Sequence, residues 1–443
     1  MSSFASDAAG DLAGLSRSLR SGELDLIRHI GDLEDNFEAR EPQVRAFVPE
    51  EGRFSRLRRE AGELLNAYPE PAARPPFFGI SFGVKDVIHV DGLPTHAGSR
   101  VPEARLRGPE AACVSRLKAQ GALVLGKTVT AEFAFFAPGP TRNPHNLEHT
   151  PGGSSSGSAA AVAAGLAPLC FGTQTTGSVI RPAAFCGVVG FKPTRDRVSG
   201  DGYIHLAPSL DHVGLFTTDV KSAEMAASVL LEDWRGPAVS PSSRPVLGIP
   251  AGPYLAYGSQ LSLAHFERAC ERLTRAGYAL KHVNAMADYE EIMHRHHLII
   301  DGEAAQVHRV WFDEFGDLYR PKTADLVHRG RSVSPEALIR ALEGRRALRD
   351  TLMSLMDEHG LDGWITPAAP GPAPLGLEST GNPVMNLPWT HSGLPALNIP
   401  SGTTADGLPL GSQIVGRWDK DETLLAFGKV IERDLNPGRD GDR

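Results

Sequence analysis

Serine, threonine and glycine are concentrated in two short loops of the sequence, at residues 152–158 and 172–178. The first loop reads GGSSSGS and the second reads GTQTTGS. Such loops expose many backbone N–H groups and several hydroxyls, so they suit the binding of negative charge. That charge is either a phosphate or the oxyanion of an acyl-transfer transition state. Between the loops, the small apolar residues of Ala159 to Leu166 predict a closely packed helix.

Two familiar motifs fit these loops poorly. Residues 153–157 match the G-x-S-x-G nucleophile elbow formally, but that turn follows a strand, whereas the preceding residues 143–151 are rich in turn formers. A phosphate-binding P-loop requires a lysine after its last glycine, and none follows Gly157 or Gly177. A dinucleotide-binding glycine motif is absent as well. The loops therefore favour a serine nucleophile with a different kind of base.

Lys85 is the candidate for that base. It interrupts the nearly continuous apolar run 77–90, which predicts a buried strand. An amine in such a strand loses solvation, its pKa falls toward neutrality, and the neutral amine can accept a proton. The alternative is a structural lysine that is solvated or paired with Asp86. The serine-rich loops favour the catalytic interpretation, because a serine nucleophile needs a base.

The pattern of elements predicts an α/β fold. Apolar residues at helical spacing cover much of the N-terminal region, and a helix at 110–120 precedes a short apolar strand at 122–126. A hairpin is predicted from 397–400 and 410–416, followed by a closing helix at 421–432. The predicted organisation is an N-terminal helical layer at 1–70, a core with the catalytic residues at 71–235, a mainly helical insert or lid at 236–360, and a C-terminal return to the core sheet at 361–443.

Composition limits the classes of function. The chain has 443 residues with 41% hydrophobic residues and a formal net charge of -8, and no basic block supports nucleic-acid binding. Its four cysteines are scattered among apolar neighbours, which is typical of reduced, buried thiols in a cytoplasmic protein. The first residues lack the apolar segment of a secretory signal. No run approaches the roughly 18 apolar residues that a membrane span needs, so no membrane contact is expected.

Three segments together resemble the amidase signature family. They are GISFGVKD at 79–86, the two loops with their small-residue helix at 152–178, and CGVVGFKPT at 186–194. The family pattern contains a G-G-S-S-G-G-S loop, a G-T-D-T-G-G-S loop and a C-G-x-x-G-x-K-P-T ending. The likeness is strong over about 75–220 and returns at 365–430. It implies the amidase signature fold, a central twisted mixed β-sheet covered by helices on both faces.

The resemblance also assigns catalytic roles. It implies that Ser178 is the nucleophile, that Ser154 relays protons after a cis peptide bond, and that Lys85 is the base. An amide substrate would be cleaved through an acyl-enzyme, with Ser155 supporting its loop and no metal or cofactor involved. The oxyanion would lie against backbone N–H groups of the second loop, from Thr175, Thr176, Gly177 and Ser178.

Departures from the family pattern point to specificity. Gln174, Thr176 and Ser156 stand where the family usually has Asp, Gly and Gly. Arg181 lies one residue later than usual, as in malonamidase-like members, where it binds a substrate carboxylate. The alternative is that Arg181 holds a neighbouring loop. Gly153, Gln174 and Arg181 are the expected substrate-binding residues.

A short histidine cluster lies in the predicted insert. His294 and His297 are spaced so that one helix face could present both to a metal ion, and His296 lies between them. No third ligand type is spaced nearby, which favours a solvated helix face or a lid near the pocket.

These observations predict a serine amidohydrolase acting on a small or medium carboxamide. A first alternative is the glutamine-hydrolysing A subunit of a tRNA-dependent amidotransferase, which shares the same core. A second is a catalytically inactive binding protein with this fold. The expected partner is a small-molecule amide, and a homodimer is left open.

Overall fold

A central ten-stranded sheet organises the computed structural model, which describes residues 11–240 and 242–437. Within that part, the strand order across the sheet is β2-β1-β3-β5-β4-β9-β10-β8-β6-β7. The strands are β1 (Ser81–Lys85), β2 (Leu123–Thr128), β3 (Leu169–Gln174), β4 (Val189–Lys192), β5 (His212–Thr217), β6 (Leu247–Ala251), β7 (Leu280–Asn284), β8 (Gly363–Pro367), β9 (Ala396–Thr403) and β10 (Pro409–Gly416).

The sheet is mixed. β1 pairs in parallel with β2 and β3, and β6 pairs in parallel with β7 and β8. The central strands, from β3 through β5, β4, β9 and β10 to β8, pair antiparallel. Most of these strands are buried, as expected for a sheet covered by helices on both faces. The predicted α/β class with a mixed central sheet is confirmed.

Helices account for most of the remaining regular structure. The α-helices are α1 (Leu12–Ser21), α2 (Leu26–Val44), α3 (Arg53–Ala67), α4 (Ala112–Ala119), α5 (Ser156–Ala163), α6 (Ile180–Cys186), α7 (Val220–Leu230), α8 (Gln260–Arg275), α9 (Tyr289–Phe315), α10 (Pro321–Gly330), α11 (Pro335–Glu358), α12 (Leu387–His391) and α13 (Asp421–Leu435). Short 3-10 helices lie at Pro71–Ala73, Glu103–Arg105, Glu132–Ala134, Pro253–Tyr257 and Gly316–Leu318.

The N-terminal helices pack on the core through their apolar faces. Leu19 of α1 and Leu26 of α2 are buried, and both reach within 4 Å of where a side chain on Gly79 would begin. Parts of the predicted segments, at residues 1–10, 241 and 438–443, lie outside the described residues.

The predicted strand at 77–90 is longer than the observed one. Only Ser81–Lys85 forms β1, although all residues from Phe77 to Val90 are buried. Gly79 has a φ of 74°, in the left-handed region, so the chain turns before the strand begins. The residues on either side of β1 are apolar because they are buried in turns. A sequence pattern cannot distinguish such buried turns from a continuation of the strand.

The segment 236–360 contains more than helices. It supplies α8 to α11, but β6 and β7 also extend the central sheet at one edge. Its longest helix, α9, runs for 27 residues and brings His296 to the second serine-containing loop. Among the described helices, none is both long and apolar enough to cross a membrane.

Candidate active site

Lys85 lies at the end of β1, in the interior of the protein. Its side chain is fully buried, and Nζ is 2.8 Å from Ser154 Oγ and 2.8 Å from Thr173 Oγ1. A third, longer contact joins Nζ to the carbonyl oxygen of Thr173 at 3.3 Å. Because β1 and β3 are neighbouring parallel strands, Thr173 lies beside the lysine at the same end of the sheet. The sequence-based prediction that Lys85 and Ser154 meet agrees with this geometry.

Asp86 does not pair with Lys85. Its Oδ1 is 3.0 Å from the Nζ of Lys127, and its carboxylate also accepts a hydrogen bond from the backbone N–H of His96. The alternative in which Lys85 is a salt-bridged partner of Asp86 is therefore wrong.

Burial lowers the pKa of Lys85 to about 7, and the negative charge of Asp211 opposes this shift. The carboxylate of Asp211 accepts hydrogen bonds from the hydroxyl of Thr175 and from the backbone N–H groups of Leu206 and Ala207. A substantial fraction of Lys85 is neutral near pH 7 and can accept a proton there. This is the state that a general base requires.

The first loop presents Ser154 to Lys85 and uses Ser155 for support. The peptide bond between Gly153 and Ser154 is cis. The Ser155 hydroxyl donates to the carbonyl of Thr173 at 3.1 Å and accepts from the N–H of the same residue at 3.3 Å. Ser155 thus fastens the first loop to the end of β3. Thr173, which contacts both Lys85 and Ser155, was not singled out by the sequence analysis.

Ser178 lies in the turn between β3 and α6 and is 7% exposed. The side chain of Gln174 stabilises this turn, because its Oε1 accepts hydrogen bonds from the N–H groups of Val179 at 2.8 Å and Ile180 at 2.9 Å. Its Nε2 donates to Thr390 Oγ1 at 2.9 Å. These contacts assign Gln174 to support of the loop instead of the substrate contact expected from the sequence.

Gly177 is required by a close approach to a neighbouring segment. A Cβ at this position would lie 2.4 Å from Asn386 Oδ1 and 2.9 Å from Pro383 Cβ. Asn386 is itself held by hydrogen bonds from its Nδ2 to the Ala368 carbonyl and the Gln413 amide oxygen. A side chain on Gly177 would therefore displace the loop that carries Ser178.

The second loop has the features of an oxyanion site. Within residues 11–240 and 242–437, the backbone N–H groups of Thr176, Gly177 and Ser178 donate no hydrogen bond to the protein. Side-chain hydrogen bonds hold the loop instead. The Thr175 hydroxyl donates to the carboxylate of Asp211, and the carbonyl of Thr176 accepts from Thr390 Oγ1 at 2.6 Å. Backbone donors held in place in this way suit the developing negative charge of a tetrahedral intermediate.

Thr176 connects this loop to the long helix α9. Its Oγ1 is 3.0 Å from Nε2 of His296, and the histidine is fully buried. Burial lowers the pKa of His296 well below its usual value, so the ring is neutral. The expectation of a solvated helix face is wrong for His296, which lies instead against the second loop. His294 and His297 are exposed, and the described residues contain no metal-binding cluster.

Replacing Thr176 with valine is expected to lower the free energy of unfolding by about 1–3 kcal/mol, because the buried His296 ring then loses its partner. Denaturant unfolding of the two proteins measures this difference. Thr176→Ser keeps the hydroxyl and is expected to recover most of the loss. Equal stability of the valine variant and the wild type would show that the hydrogen bond contributes nothing.

Arg181 joins the two loops. Its backbone N–H donates to the Gly177 carbonyl at 3.0 Å, and its Nη2 donates to the Gly153 carbonyl at 2.6 Å. Nη1 donates to the carbonyl of Gly381, and Nη2 also contacts Thr380 Oγ1. The side chain is 1% exposed, and burial lowers its pKa to about 9. These contacts favour a role of Arg181 in holding the loops over binding of a substrate carboxylate. They also engage the carbonyl of Gly153, a residue expected from the sequence to bind substrate, in a hydrogen bond with Arg181.

Comparison with known proteins identifies the family of this chain. The family model described as amidase matches residues 35–425. The chain belongs to the amidase family. This amidase is therefore an enzyme of a family that acts on carboxamide C–N bonds, with the signature motifs described above.

Several relatives resemble the amidase over nearly its whole length. The A subunit of glutamyl-tRNA(Gln) amidotransferase from Acidobacterium capsulatum is 31% identical, over 94% of this chain and 97% of the relative. A solved structure described as an amidase superposes with a TM-score of 0.84 at 29% identity, covering 95% of this chain and 99% of the other. Peptide amidase from Stenotrophomonas maltophilia has a TM-score of 0.82 at 25% identity, with 97% of each chain covered.

Proposed function

We propose that this amidase is a serine amidohydrolase in which Ser178, Ser154 and Lys85 act in sequence on a small or medium carboxamide. The observation that carries the proposal is the 2.8 Å contact between a fully buried Lys85 and Ser154. The carboxylate nearest along the chain, Asp86, is paired with Lys127. Lys85 is thereby left available as a base for Ser154.

The proposed reaction moves one proton along the three residues. Ser178 Oγ attacks the amide carbonyl carbon while its proton passes to Ser154 Oγ, and the Ser154 proton passes to Lys85 Nζ. The negative charge on the carbonyl oxygen is stabilised by N–H groups of the loop at 175–178. Return of the proton through Ser154 to the leaving nitrogen breaks the C–N bond and leaves an ester on Ser178. Water then hydrolyses that ester by the same proton path.

A fluorophosphonate probe followed by peptide mass spectrometry tests the nucleophile. Labelling of Ser178 in the wild type, and its loss in Ser178→Ala, supports the assignment. Labelling of another residue contradicts it, whereas labelling of no residue contradicts it and favours the alternative of an inactive binding protein. A panel of carboxamides, with esters and carbamates added, then defines the substrate class.

A second candidate function is glutamine hydrolysis for ammonia transfer within a larger complex. It is favoured by the similarity to the A subunit of glutamyl-tRNA(Gln) amidotransferase over almost the full length of both proteins. The test is glutaminase activity of the purified chain, together with co-purification of tRNA and of a second subunit from the native source. Cleavage of simple amides at high kcat/KM by the isolated chain, without such partners, favours the stand-alone enzyme.

Arg181 is proposed to act as a positioning residue, because its guanidinium binds carbonyls of the first loop and of the segment near Gly381. Arg181→Ala is expected to lower kcat for neutral and carboxylate-bearing amides by similar factors. The KM for the two kinds of substrate should also change by similar factors. Paired kinetics on one neutral and one acidic amide measure this. A rise in KM confined to the acidic amide would instead support the carboxylate clamp of malonamidase-like members.

A further inference from the structure

A cavity that none of the catalytic residues lines is bordered by four arginines. Its volume is about 260 Å³, and its walls include Arg195, Arg345, Arg346 and Arg349 together with Trp418. The last three arginines come from one helix, α11, and Arg195 follows β4. None of Lys85, Ser154 and Ser178 lines this cavity. Such a concentration of positive charge is unexpected in a chain with a net charge of -8.

Two of these arginines already have carboxylate partners. Arg195 is 3.0 Å from Asp196, and Arg349 is 3.1 Å from Asp350. Arg349 also lies over the ring of Trp418, with its guanidinium carbon 4.5 Å from the ring centre, which holds it against the wall.

The other two arginines take part in no ion pair with any described residue. Arg345 donates from Nε to the carbonyl of His391 at 3.1 Å, but its Nη1 and Nη2 donate no hydrogen bond to the described part of the chain. The guanidinium of Arg346, which is exposed, likewise donates no hydrogen bond to these residues. The two guanidinium groups therefore bring at least two positive charges with free donors to the wall.

The environment of Arg345 makes the free charge costly. Burial is the first cause that lowers the pKa of this arginine to about 10, followed by the positive charge of Arg195, while Glu303 opposes the shift. The group remains protonated at pH 7, so the protein keeps a largely buried cation that forms no ion pair with a described carboxylate. An anion bound against Arg345 would supply the missing acceptors, and the exposed Arg346 would add a second positive charge beside it.

One more polar atom on the same wall lacks a partner. Arg195 Nε is shielded from solvent and forms no hydrogen bond with the described residues. Unsatisfied buried donors are uncommon in folded proteins and point to an unseen acceptor. The cavity thus offers both charge and hydrogen-bond donors to a ligand that consists mainly of acceptor oxygens.

The size of the cavity limits that ligand. Pockets for drug-sized molecules enclose about 300–1,000 Å³, and a water molecule in the liquid occupies about 30 Å³. A volume of about 260 Å³ therefore accommodates a small anion with its remaining waters and is too small for a nucleotide. We propose that this arginine pocket binds a small oxyanion with two negative charges, either inorganic phosphate or a short dicarboxylate.

The pocket is connected to the catalytic site by a short series of contacts. The His391 carbonyl accepts from Arg345, and the His391 ring lies 5.5 Å from the ring of His296. His296 in turn contacts Thr176 of the oxyanion loop. The site nevertheless binds its anion through residues other than the catalytic three, so the proposal stands or fails independently of the proposed reaction.

Isothermal titration calorimetry on the full chain, at pH 7.5 and constant ionic strength, tests the pocket with inorganic phosphate and with succinate as separate ligands. We expect saturable binding with one site per chain for at least one of them. Binding of phosphate alone assigns a tetrahedral oxyanion, binding of succinate alone assigns a dicarboxylate, and binding of both supports a general dianion site. No saturable binding of either ligand would overturn the proposal.

Variants on one helix locate the site. Arg346→Gln removes a side chain that makes no hydrogen bond to the described protein, so it is expected to fold normally and to weaken binding about three- to tenfold. Adding Arg345→Gln should weaken binding more than tenfold. Arg340→Gln, an exposed arginine of α11 outside the cavity, is the matched control and should bind as the wild type does. Unchanged affinity in both pocket variants would place the bound anion elsewhere and contradict the proposal.

Discussion

Replacing Ser178 with alanine is expected to lower kcat by about 10⁴- to 10⁶-fold, because the acyl-enzyme can no longer form. The turn around Ser178 is held by Gln174 and by the Arg181 backbone, not by the serine hydroxyl. The variant should therefore fold and keep its stability. Release of ammonia or amine from the best substrate of the carboxamide panel measures the rate, and thermal unfolding checks the fold.

Ser156→Ala is the matched control for this loss. Ser156 belongs to the neighbouring loop and is also buried, but its hydroxyl makes only a 3.4 Å contact to the Val129 carbonyl. Its replacement should change kcat by less than about tenfold. If Ser178→Ala keeps wild-type kcat, or if both alanine variants lose activity equally, the assignment of the nucleophile is wrong.

Replacing Lys85 with methionine is expected to lower kcat/KM by about 10²- to 10⁴-fold, the usual contribution of a general base. Burial lowers the pKa of Lys85 to about 7, and only the neutral amine accepts the proton from Ser154. Activity of the wild type should therefore rise with pH through about 7 and fall as Lys85 becomes protonated below it. The pH dependence of kcat/KM measures this rising limb near pH 7. The limb should be absent from the residual activity of Lys85→Met.

Stability should respond to the same group. The folded pKa of Lys85 is about 7 and its ordinary value is 10.5, so the unfolded chain binds more protons between these two pH values. The free energy of unfolding of the wild type should therefore rise with pH across this window, by up to about 1.4 kcal/mol per pH unit for each such lysine. Lys85→Met should make this rise shallower. Denaturant unfolding at pH 7, 8 and 9 measures the slope.

Lys192 provides a control of the same chemical type. It is fully buried, its pKa is lowered by burial to about 7, and its Nζ donates to the carbonyls of Pro193 and Leu394. Lys192→Met should reduce the stability slope in the same direction while leaving the pH limb of kcat/KM near 7. Loss of that limb in Lys192→Met, or its persistence in Lys85→Met, would contradict the role of Lys85 as base.

Short-range sequence patterns predicted several elements near the site, although residues 172–174, expected in a loop, form the end of β3. The small residues after the first loop predicted a helix that the structure begins slightly earlier, as α5, and the C-terminal hairpin was predicted close to β9 and β10. β7 was missed, because it is an edge strand whose residues are mostly exposed and show no apolar run. Strand pairing at a sheet edge depends on a partner distant in sequence, which local patterns do not report.

The supporting residues of the site illustrate the same limit. Thr173 lies beside Lys85 because β1 and β3 pair in parallel, although the two residues are 88 positions apart. His296 reaches Thr176 from a helix 120 positions further along the chain. No motif marks either contact, since a hydrogen bond between distant residues leaves no spacing signal in a single sequence. For Thr173, its place in the serine-rich loop was the available hint.

The sequence by itself determined the two serine-containing loops, the lysine in a buried strand, and membership of the amidase family. These features depend on residue type and local spacing, which the chain carries without folding. The tertiary structure decided which charges meet, since Asp86 pairs with Lys127 and not with its sequence neighbour Lys85. It also brought Gln174 to Thr390, and Arg181 to Gly153 and Gly381, through contacts between segments distant in sequence.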